Sequence, residues 1–234
     1  MDVAVIALLG GESTGKSALA SALRDTAHAQ HVPARLVTET LRGWVDQHQR
    51  TPLVHEQALI ADAQQAAIET AVRQLESHPS PNMNTVGLVI ADTTPFQTAA
   101  YSAHYFGDGS RWGTAVEAER AAPMRVRLLM GLDLAWVADD GQRDGVNAQS
   151  AVDAVLRAQL QLHSLPFQVI YGRGPSRAQA AWAAIANALG REDWLTPQPE
   201  SQRRSDWVCQ DCSDPDCELR LFTGLLARRP QGAG

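Results

Sequence analysis

Gly10-Gly-Glu-Ser-Thr-Gly-Lys-Ser17 decides the fold, because this stretch fits the phosphate-binding loop pattern G-x-x-x-x-G-K-[ST]. It follows an apolar run at residues 3–9 that predicts a buried strand, and it opens a predicted helix at residues 16–28. In this order of strand, loop and helix, backbone N–H groups and the helix N-terminus surround an anion. We therefore expect a nucleoside triphosphate site.

Lys16 is the only lysine among the 20 Lys and Arg residues of the 234-residue chain. A compact ammonium on a flexible stem fits between phosphate oxygens where a planar guanidinium does not. We predict that Lys16 bridges the β- and γ-phosphates of ATP and that Ser17 ligates Mg²⁺. The expected nucleotide-binding residues are Gly10, Gly11, Glu12, Ser13, Thr14, Gly15, Lys16, Ser17 and Ala18.

Strands and helices are predicted to alternate along the rest of the chain. Apolar runs predict strands at residues 34–38, 86–91, 126–130 and 167–171. Apolar spacings of three and four residues predict helices at 39–49, 54–75, 96–105, 114–122, 148–162 and 176–189. This alternation predicts an α/β fold, namely a P-loop NTPase three-layer sandwich with a mostly parallel five-stranded sheet.

The alternation stops near residue 191, so we expect a P-loop domain at 1–190 and a short cysteine-containing tail at 191–234. The net charge of −6 provides no basic field for nucleic acid. No apolar run is long enough to span a bilayer, and the N-terminus has no basic segment typical of a signal peptide. We expect a cytoplasmic protein without a nucleic-acid or membrane partner, and the sequence leaves its oligomeric state open.

Two acidic residues follow predicted strands. Asp92 ends the third strand, where a carboxylate can hold Mg²⁺ opposite the phosphate loop or, alternatively, cap the next helix. Glu39 follows the second strand, where ligands bind in such folds. It can accept a proton from a sugar hydroxyl, or it can be a first-turn glutamate favoured by the helix dipole.

Arg143 lies in the Gly-flanked stretch 139–145, and two roles fit it. In a mobile lid it would neutralise charge on a phosphoryl group during transfer, whereas in a solvated turn it would pair with neighbouring aspartates. With no lysine beyond Lys16, the Asn-Lys-x-Asp signature of Ras-type GTPases is absent, and so is the Leu-Ser-Gly-Gly-Gln signature of transporter ATPases. The main class that fits is small-molecule kinases with an arginine-bearing lid.

Four segments together resemble the NadR-type ribosylnicotinamide kinase domain, a P-loop family of AAA-type ATPases and kinases linked to NAD metabolism. They are the loop at 10–17, Thr38 with Glu39, the stretch 90–98 and the stretch 133–143. The resemblance covers roughly residues 1–190. The chain starts at its first predicted strand, so we expect it to lack the adenylyltransferase domain that is fused to the kinase in this family.

The resemblance implies ATP-dependent phosphorylation of nicotinamide riboside to nicotinamide mononucleotide. By the same analogy Lys16 and Ser17 hold ATP and Mg²⁺, Asp92 completes the metal site, Glu39 engages the riboside as base, and Arg143 closes the lid. An aromatic ring is needed to stack on a pyridine or a base, and Trp136, Trp112 and Tyr101 are candidates. Ordinary core packing is the alternative for each, and Trp136 is favoured because it precedes the predicted lid.

A different function class is also compatible with the sequence. A P-loop ATPase switch would hydrolyse ATP and act on a protein partner through its tail, and Glu39 would then orient water or have no role. A kinase for a different nucleoside or nucleotide is a third possibility. An acceptor-dependent reaction separates the kinases from the switch.

The three cysteines, Cys209, Cys212 and Cys217, all lie in the tail. Thiolates at these spacings can converge on one structural Zn²⁺, whose fourth ligand would come from Asp214, Asp216, a histidine of the main domain or a partner subunit. The alternative is three reduced thiols in a compact turn.

If the three thiolates bind zinc, purified protein will contain about one zinc per chain, and a Cys212→Ser variant will lose most of it. Metal analysis of both proteins by mass spectrometry tests this. Less than about 0.2 zinc per wild-type chain would contradict the zinc site.

Overall fold

The computed structural model describes residues 1–77, 86–122, 124–134 and 146–195. In this part of the chain a single sheet contains β1 (Asp2–Leu9), β2 (Ala34–Val37), β3 (Val86–Ala91), β4 (Met124–Met130) and β5 (Gln168–Ile170). The strand order is β2-β3-β1-β4-β5, and all four pairings are parallel. The predicted five-stranded parallel sheet is confirmed.

At least one α-helix follows each of the five strands. The helices are α1 (Lys16–Ala29), α2 (Thr40–His48), α3 (Gln57–Glu76), α4 (Pro95–Phe106), α5 (Trp112–Ala121), α6 (Val146–Leu162) and α7 (Gly174–Ala188). Short 3₁₀ helices lie at Val54–Glu56 and Glu192–Trp194. Within the described ranges no helix is both long and apolar enough to cross a membrane.

The sheet is the middle of three layers. Alternate side chains of a strand point to opposite faces, and Val3, Val5 and Leu9 of β1 pack in the apolar clusters formed with α3 to α6. Ala4, Ile6 and Leu8 are fully buried on the other face, which α1 and α7 cover. Burial on both faces explains why the strands read as continuous apolar runs.

The parallel register brings the ends of the strands to one edge of the sheet. Ala7 pairs with Ala91, and Val37 pairs with the same Ala91, so the residues after β1, β2 and β3 emerge side by side. The backbone N–H of Asp92 donates to the carbonyl of Val37 at 2.9 Å, which fixes the start of the segment after β3. The phosphate loop, Glu39 and Asp92 therefore share this edge.

Several element ends differ from the predictions, and in α2 the cause is that the capping residues resemble helical ones. Glu39 is the N-cap of α2, and Gln49, with φ +53°, is its left-handed C-cap. The predicted helix at 54–75 begins as a 3₁₀ turn, because the Glu56 carboxylate accepts a hydrogen bond from the Leu53 N–H and so caps the turn. The helix predicted from residue 114 begins earlier, at Trp112.

A buried ion cluster joins α5 to β4. The side chain of Glu119 is fully buried and accepts hydrogen bonds from Arg125 at 2.8 Å and from Arg127 at 2.7 Å. Arg127 also donates to the backbone carbonyl of Glu119 at 2.6 Å. Burial lowers the pKa of Arg127, and the Glu119 carboxylate opposes this, so Glu119 offsets the unfavourable burial of the arginine.

Glu119→Gln should lower the free energy of unfolding by about 3 kcal/mol, because two buried guanidinium groups lose their counter-charge. Urea denaturation monitored by circular dichroism measures the loss. The matched control is Glu117→Gln on the exposed side of the same helix, which should change stability by less than about 0.5 kcal/mol. Equal losses in the two variants would contradict this account of the cluster.

Candidate phosphate-binding and acceptor site

The loop between β1 and α1 has the backbone of an anion-binding turn. Gly10 and Gly15 have φ of +150° and +80°, which favour glycine, and Ser13 adopts the left-handed region at φ +59°. Gly15 is the N-cap of α1 and supplies no side-chain cap, so the first N–H groups of α1 are left for a ligand. These groups and the helix dipole favour a phosphate here.

Neighbouring elements leave no room for a Cβ at the first two glycines of the loop. A Cβ added to Gly10 would lie 2.9 Å from Cβ of Met130, at the end of β4. A Cβ added to Gly11 would lie 2.8 Å from the backbone carbonyl oxygen of Gln149 in α6. These two glycines are required by packing as well as by ligand access.

Lys16 is buried, and its ammonium lies in the loop. Nζ donates hydrogen bonds to the carbonyls of Gly10 at 2.8 Å and Gly11 at 3.0 Å. Burial lowers the pKa of Lys16, while the charges of Glu39, Asp92 and Glu12 raise it. Three acidic groups thus lie within electrostatic reach of this ammonium and partly offset the effect of burial on its pKa, which is lowered overall.

Asp92 is nearly fully buried at the end of β3. Burial raises its pKa, and a hydrogen bond with the Ser17 hydroxyl and the charge of Lys16 oppose that rise. Its Oδ1 has no hydrogen-bond partner among the described residues. An orphaned carboxylate oxygen beside a hydroxyl fits Mg²⁺, which proteins bind with one or two such ligands plus phosphate oxygens.

Glu39 lies near this group, at the start of α2. Its side chain is 15% exposed, and one oxygen is 3.8 Å from the guanidinium of Arg42. The charge of Glu39 shifts the pKa values of Lys16, Asp92 and Tyr101, so it lies within electrostatic reach of all three. The next N–H, of Thr40, donates to the Gln64 side chain at 2.8 Å, which ties the start of α2 to α3.

Two buried glutamines on neighbouring helices, which the sequence analysis did not single out, hold the loop. Oε1 of Gln97 in α4 accepts a hydrogen bond from the Gly10 N–H at 2.9 Å. Nε2 of Gln149 in α6 donates to the Glu12 carbonyl at 2.7 Å. A single glutamine in an apolar helix pattern has no sequence signature, and only its position in the fold reveals the contact.

The aromatic candidates lie in different surroundings. Tyr101 is buried in α4, and burial together with Glu39 and Glu12 raises its pKa well above the usual range. Trp112 packs edge-to-face on Phe96 with ring centroids 5.0 Å apart, in the apolar cluster between helices. Tyr101 is itself a buried member of this apolar cluster, against which Trp112 packs as a partly buried neighbour, and Tyr101 in addition lies within electrostatic reach of Glu39 and Glu12.

Other candidates lie outside the described residues. These are Trp136 and Arg143 in the predicted lid, and Cys209, Cys212 and Cys217 in the tail. In the described part of the chain no group of three or more His, Cys, Asp and Glu residues is arranged to hold a metal ion.

A further buried arginine, Arg177 of α7, was also missed by the sequence analysis. It donates to the carbonyl of Ile170 at 3.3 Å and lies 4.0 Å from the carboxylate of Asp133. Asp133 in turn accepts a hydrogen bond from the Gly172 N–H at 2.6 Å. These contacts join the segments after β4 and β5 beside the loop.

A match between the sequence and a family model shows which family the chain belongs to. A family model described as an AAA domain matches residues 5–177, which include the loop, Glu39 and Asp92. The chain belongs to this AAA-domain family. It is therefore a P-loop nucleotide-binding protein, as the loop predicted. A search of curated proteins found no match.

Two solved NadR structures share the fold of this AAA-domain protein. A crystal structure of NadR protein in complex with NAD and AMP-PNP has a TM-score of 0.60 at 18% identity, covering 85% of this chain and 51% of that chain. NadR protein in complex with NR has a TM-score of 0.56 at 15% identity, covering 85% and 52%. The chain spans about half the length of these NadR chains. The fold expected from the sequence resemblance is confirmed.

Asp92→Asn should abolish the part of ATP binding that depends on Mg²⁺, because a neutral amide is a poor ligand for this ion. For the wild type, saturating ATP with Mg²⁺ should raise the melting temperature by roughly 5–10 °C, and ATP with EDTA should raise it less. In the variant, ATP should raise the melting temperature by the same amount with Mg²⁺ as with EDTA. The exposed Asp62→Asn variant is the control, and a full Mg²⁺-dependent increment in Asp92→Asn would contradict the metal role.

Proposed function

We propose that the chain is an ATP-dependent kinase that phosphorylates a small nucleoside, with nicotinamide riboside as the acceptor and nicotinamide mononucleotide as the product. The observation that carries the proposal is the placement of Glu39, a partly exposed carboxylate within electrostatic reach of both Lys16 and Asp92. A phosphate loop alone serves many reactions, whereas a carboxylate facing it suits an acceptor hydroxyl. The binding of NR by a NadR protein of the same fold supports the choice of riboside.

The loop and Lys16 would position the phosphates of ATP. The N–H groups at the start of α1 would donate to phosphate oxygens, and Lys16 would exchange its carbonyl partners for the β- and γ-phosphates. Ser17 and Asp92 would hold Mg²⁺, which neutralises phosphate charge when it is bound. The protein then contributes mainly positioning and electrostatic stabilisation.

Glu39 would accept the proton of the acceptor hydroxyl. A carboxylate is a suitable base for this step because the hydroxyl becomes acidic as it bonds to phosphorus. Arg42, 3.8 Å from one oxygen, would help to orient Glu39. The other parts of the proposal are stacking of the pyridine ring on Trp136 and closure of a lid through Arg143. We also propose a cytoplasmic location, where ATP and free nucleosides are available.

Glu39→Gln should lower kcat for nucleoside phosphorylation by about 10²- to 10⁴-fold, because the amide cannot accept the proton. The KM for ATP should change by less than about threefold, since Glu39 does not hold the phosphates. ADP release from Mg·ATP is measured for wild type and variant, alone and with nicotinamide riboside, adenosine, cytidine or uridine. Glu69→Gln on the exposed face of α3 is the matched control.

Strong stimulation of wild-type ADP release by nicotinamide riboside, and by none of the other three nucleosides, would support the proposed acceptor. Stimulation by a different nucleoside would keep the kinase and replace the acceptor. Slow hydrolysis that no acceptor stimulates, and that is unchanged in Glu39→Gln, would contradict the kinase and favour an ATPase switch with a protein partner.

A further inference from the structure

The helix that begins next to Glu39 has little apolar packing to hold it in place. The structure describes all nine residues of α2, and none of them is buried. Leu41 packs, partly buried, against an apolar cluster. Helices in globular proteins are ordinarily held by a buried apolar face. Because α2 has only a partly buried one, polar contacts at its ends contribute more than usual to its position.

One such contact lies directly beside Glu39. Thr40 is the first residue of α2, and the N–H of such a residue has no partner within the helix. This N–H donates to Oε1 of Gln64 in α3 at 2.8 Å. Gln64 is 1% exposed, so the bond lies largely out of reach of water, and its loss would leave a donor without a partner.

The helix that carries Gln64 is firmly packed on the sheet. Ile68, one turn beyond Gln64, is buried in an apolar cluster that also contains Val37 and Ala91. These two residues end β2 and β3, the strands that lead to the proposed base and to the proposed metal ligand. Gln64 therefore projects from a helix whose position is set by the same strand ends.

The Glu39 side chain is not used to cap α2. Glu39 is the N-cap residue with an extended backbone, at φ −64° and ψ 115°. An acidic residue at this position ordinarily accepts a hydrogen bond from an N–H of the first turn. Within the described part of the chain, Glu39 makes no such bond. Its carboxylate is thus available for chemistry, while Gln64 holds the backbone beside it.

We propose that Gln64 is a positioning residue for phosphoryl transfer. Its amide oxygen fixes the backbone at Thr40 and thereby holds the Glu39 carboxylate where it accepts the proton of the acceptor hydroxyl. This inference rests on the proposed kinase function. Gln64 acts through Glu39 and requires no contact with ATP or with the acceptor. A misplacement of about 1 Å at a reacting group can lower a rate by about a hundredfold, so loss of this one bond should be visible in kcat.

The first measurement compares two neighbouring glutamines of α3. Gln64→Met keeps the shape of the side chain and removes the amide oxygen. It should lower kcat for nucleoside phosphorylation by about tenfold to hundredfold and change the KM for ATP by less than about threefold. The matched control is Gln65→Met, since the Gln65 amide donates to Glu69 of the same helix. This control should change kcat by less than about twofold.

A double-mutant cycle with Glu39→Gln distinguishes positioning from a general structural role. If Gln64 acts through Glu39, its substitution has little left to remove once the base is absent. In the Glu39→Gln background, Gln64→Met should therefore lower the residual kcat by less than about twofold. ATP labelled at the γ-phosphate makes this residual transfer measurable.

A similar loss in both backgrounds would assign Gln64 a structural role and overturn the inference. An unchanged kcat in Gln64→Met, with an active wild type, would overturn it as well. In both cases the kinase function would stand, whereas a wild type that phosphorylates no nucleoside would overturn the proposed function itself. If Gln64→Met does not fold, Gln64→Asn gives the same comparison, because its amide keeps the polarity of the site but is one carbon too short to reach Thr40.

Discussion

The close packing of the loop backbone against β4 and α6 is the constraint on which the rest of the site depends. Gly10 lies against Met130, and Gly11 lies against Gln149, with no space for a Cβ at either position. Because the backbone is held this closely at Gly10 and Gly11, packing preorganises the path of the loop that leads to the first N–H groups of α1. Such preorganisation is the main source of electrostatic stabilisation in phosphoryl transfer.

Charge balance around the loop follows from that geometry. Lys16 and Asp92 are both buried, a state that disfavours the charged form of each, and each opposes the effect of burial on the pKa of the other. Glu39 and Glu12 add negative charge near Lys16. The site thus contains more acid than base, which suits a ligand that arrives with Mg²⁺ and a neutral acceptor.

Most of the fold could be predicted from the sequence, because buried parallel strands produce apolar runs and the loop motif fixes where the first strand ends. Glu39 and Asp92 were located from their positions after strands. Gln97 and Gln149 could not be found in this way, since their roles arise from contacts with Gly10 and Glu12 that lie 87 and 137 positions away. The predicted helix ends are wrong where a capping residue such as Glu39 has the sequence character of a helical one.

The fate of the γ-phosphoryl group tests the central claim most directly. Phosphorus NMR of the wild-type protein with Mg·ATP and nicotinamide riboside would follow ADP, inorganic phosphate and nicotinamide mononucleotide together. The account predicts that nicotinamide mononucleotide appears in step with ADP while inorganic phosphate stays near background. Inorganic phosphate in step with ADP, with no phosphorylated riboside, would contradict it.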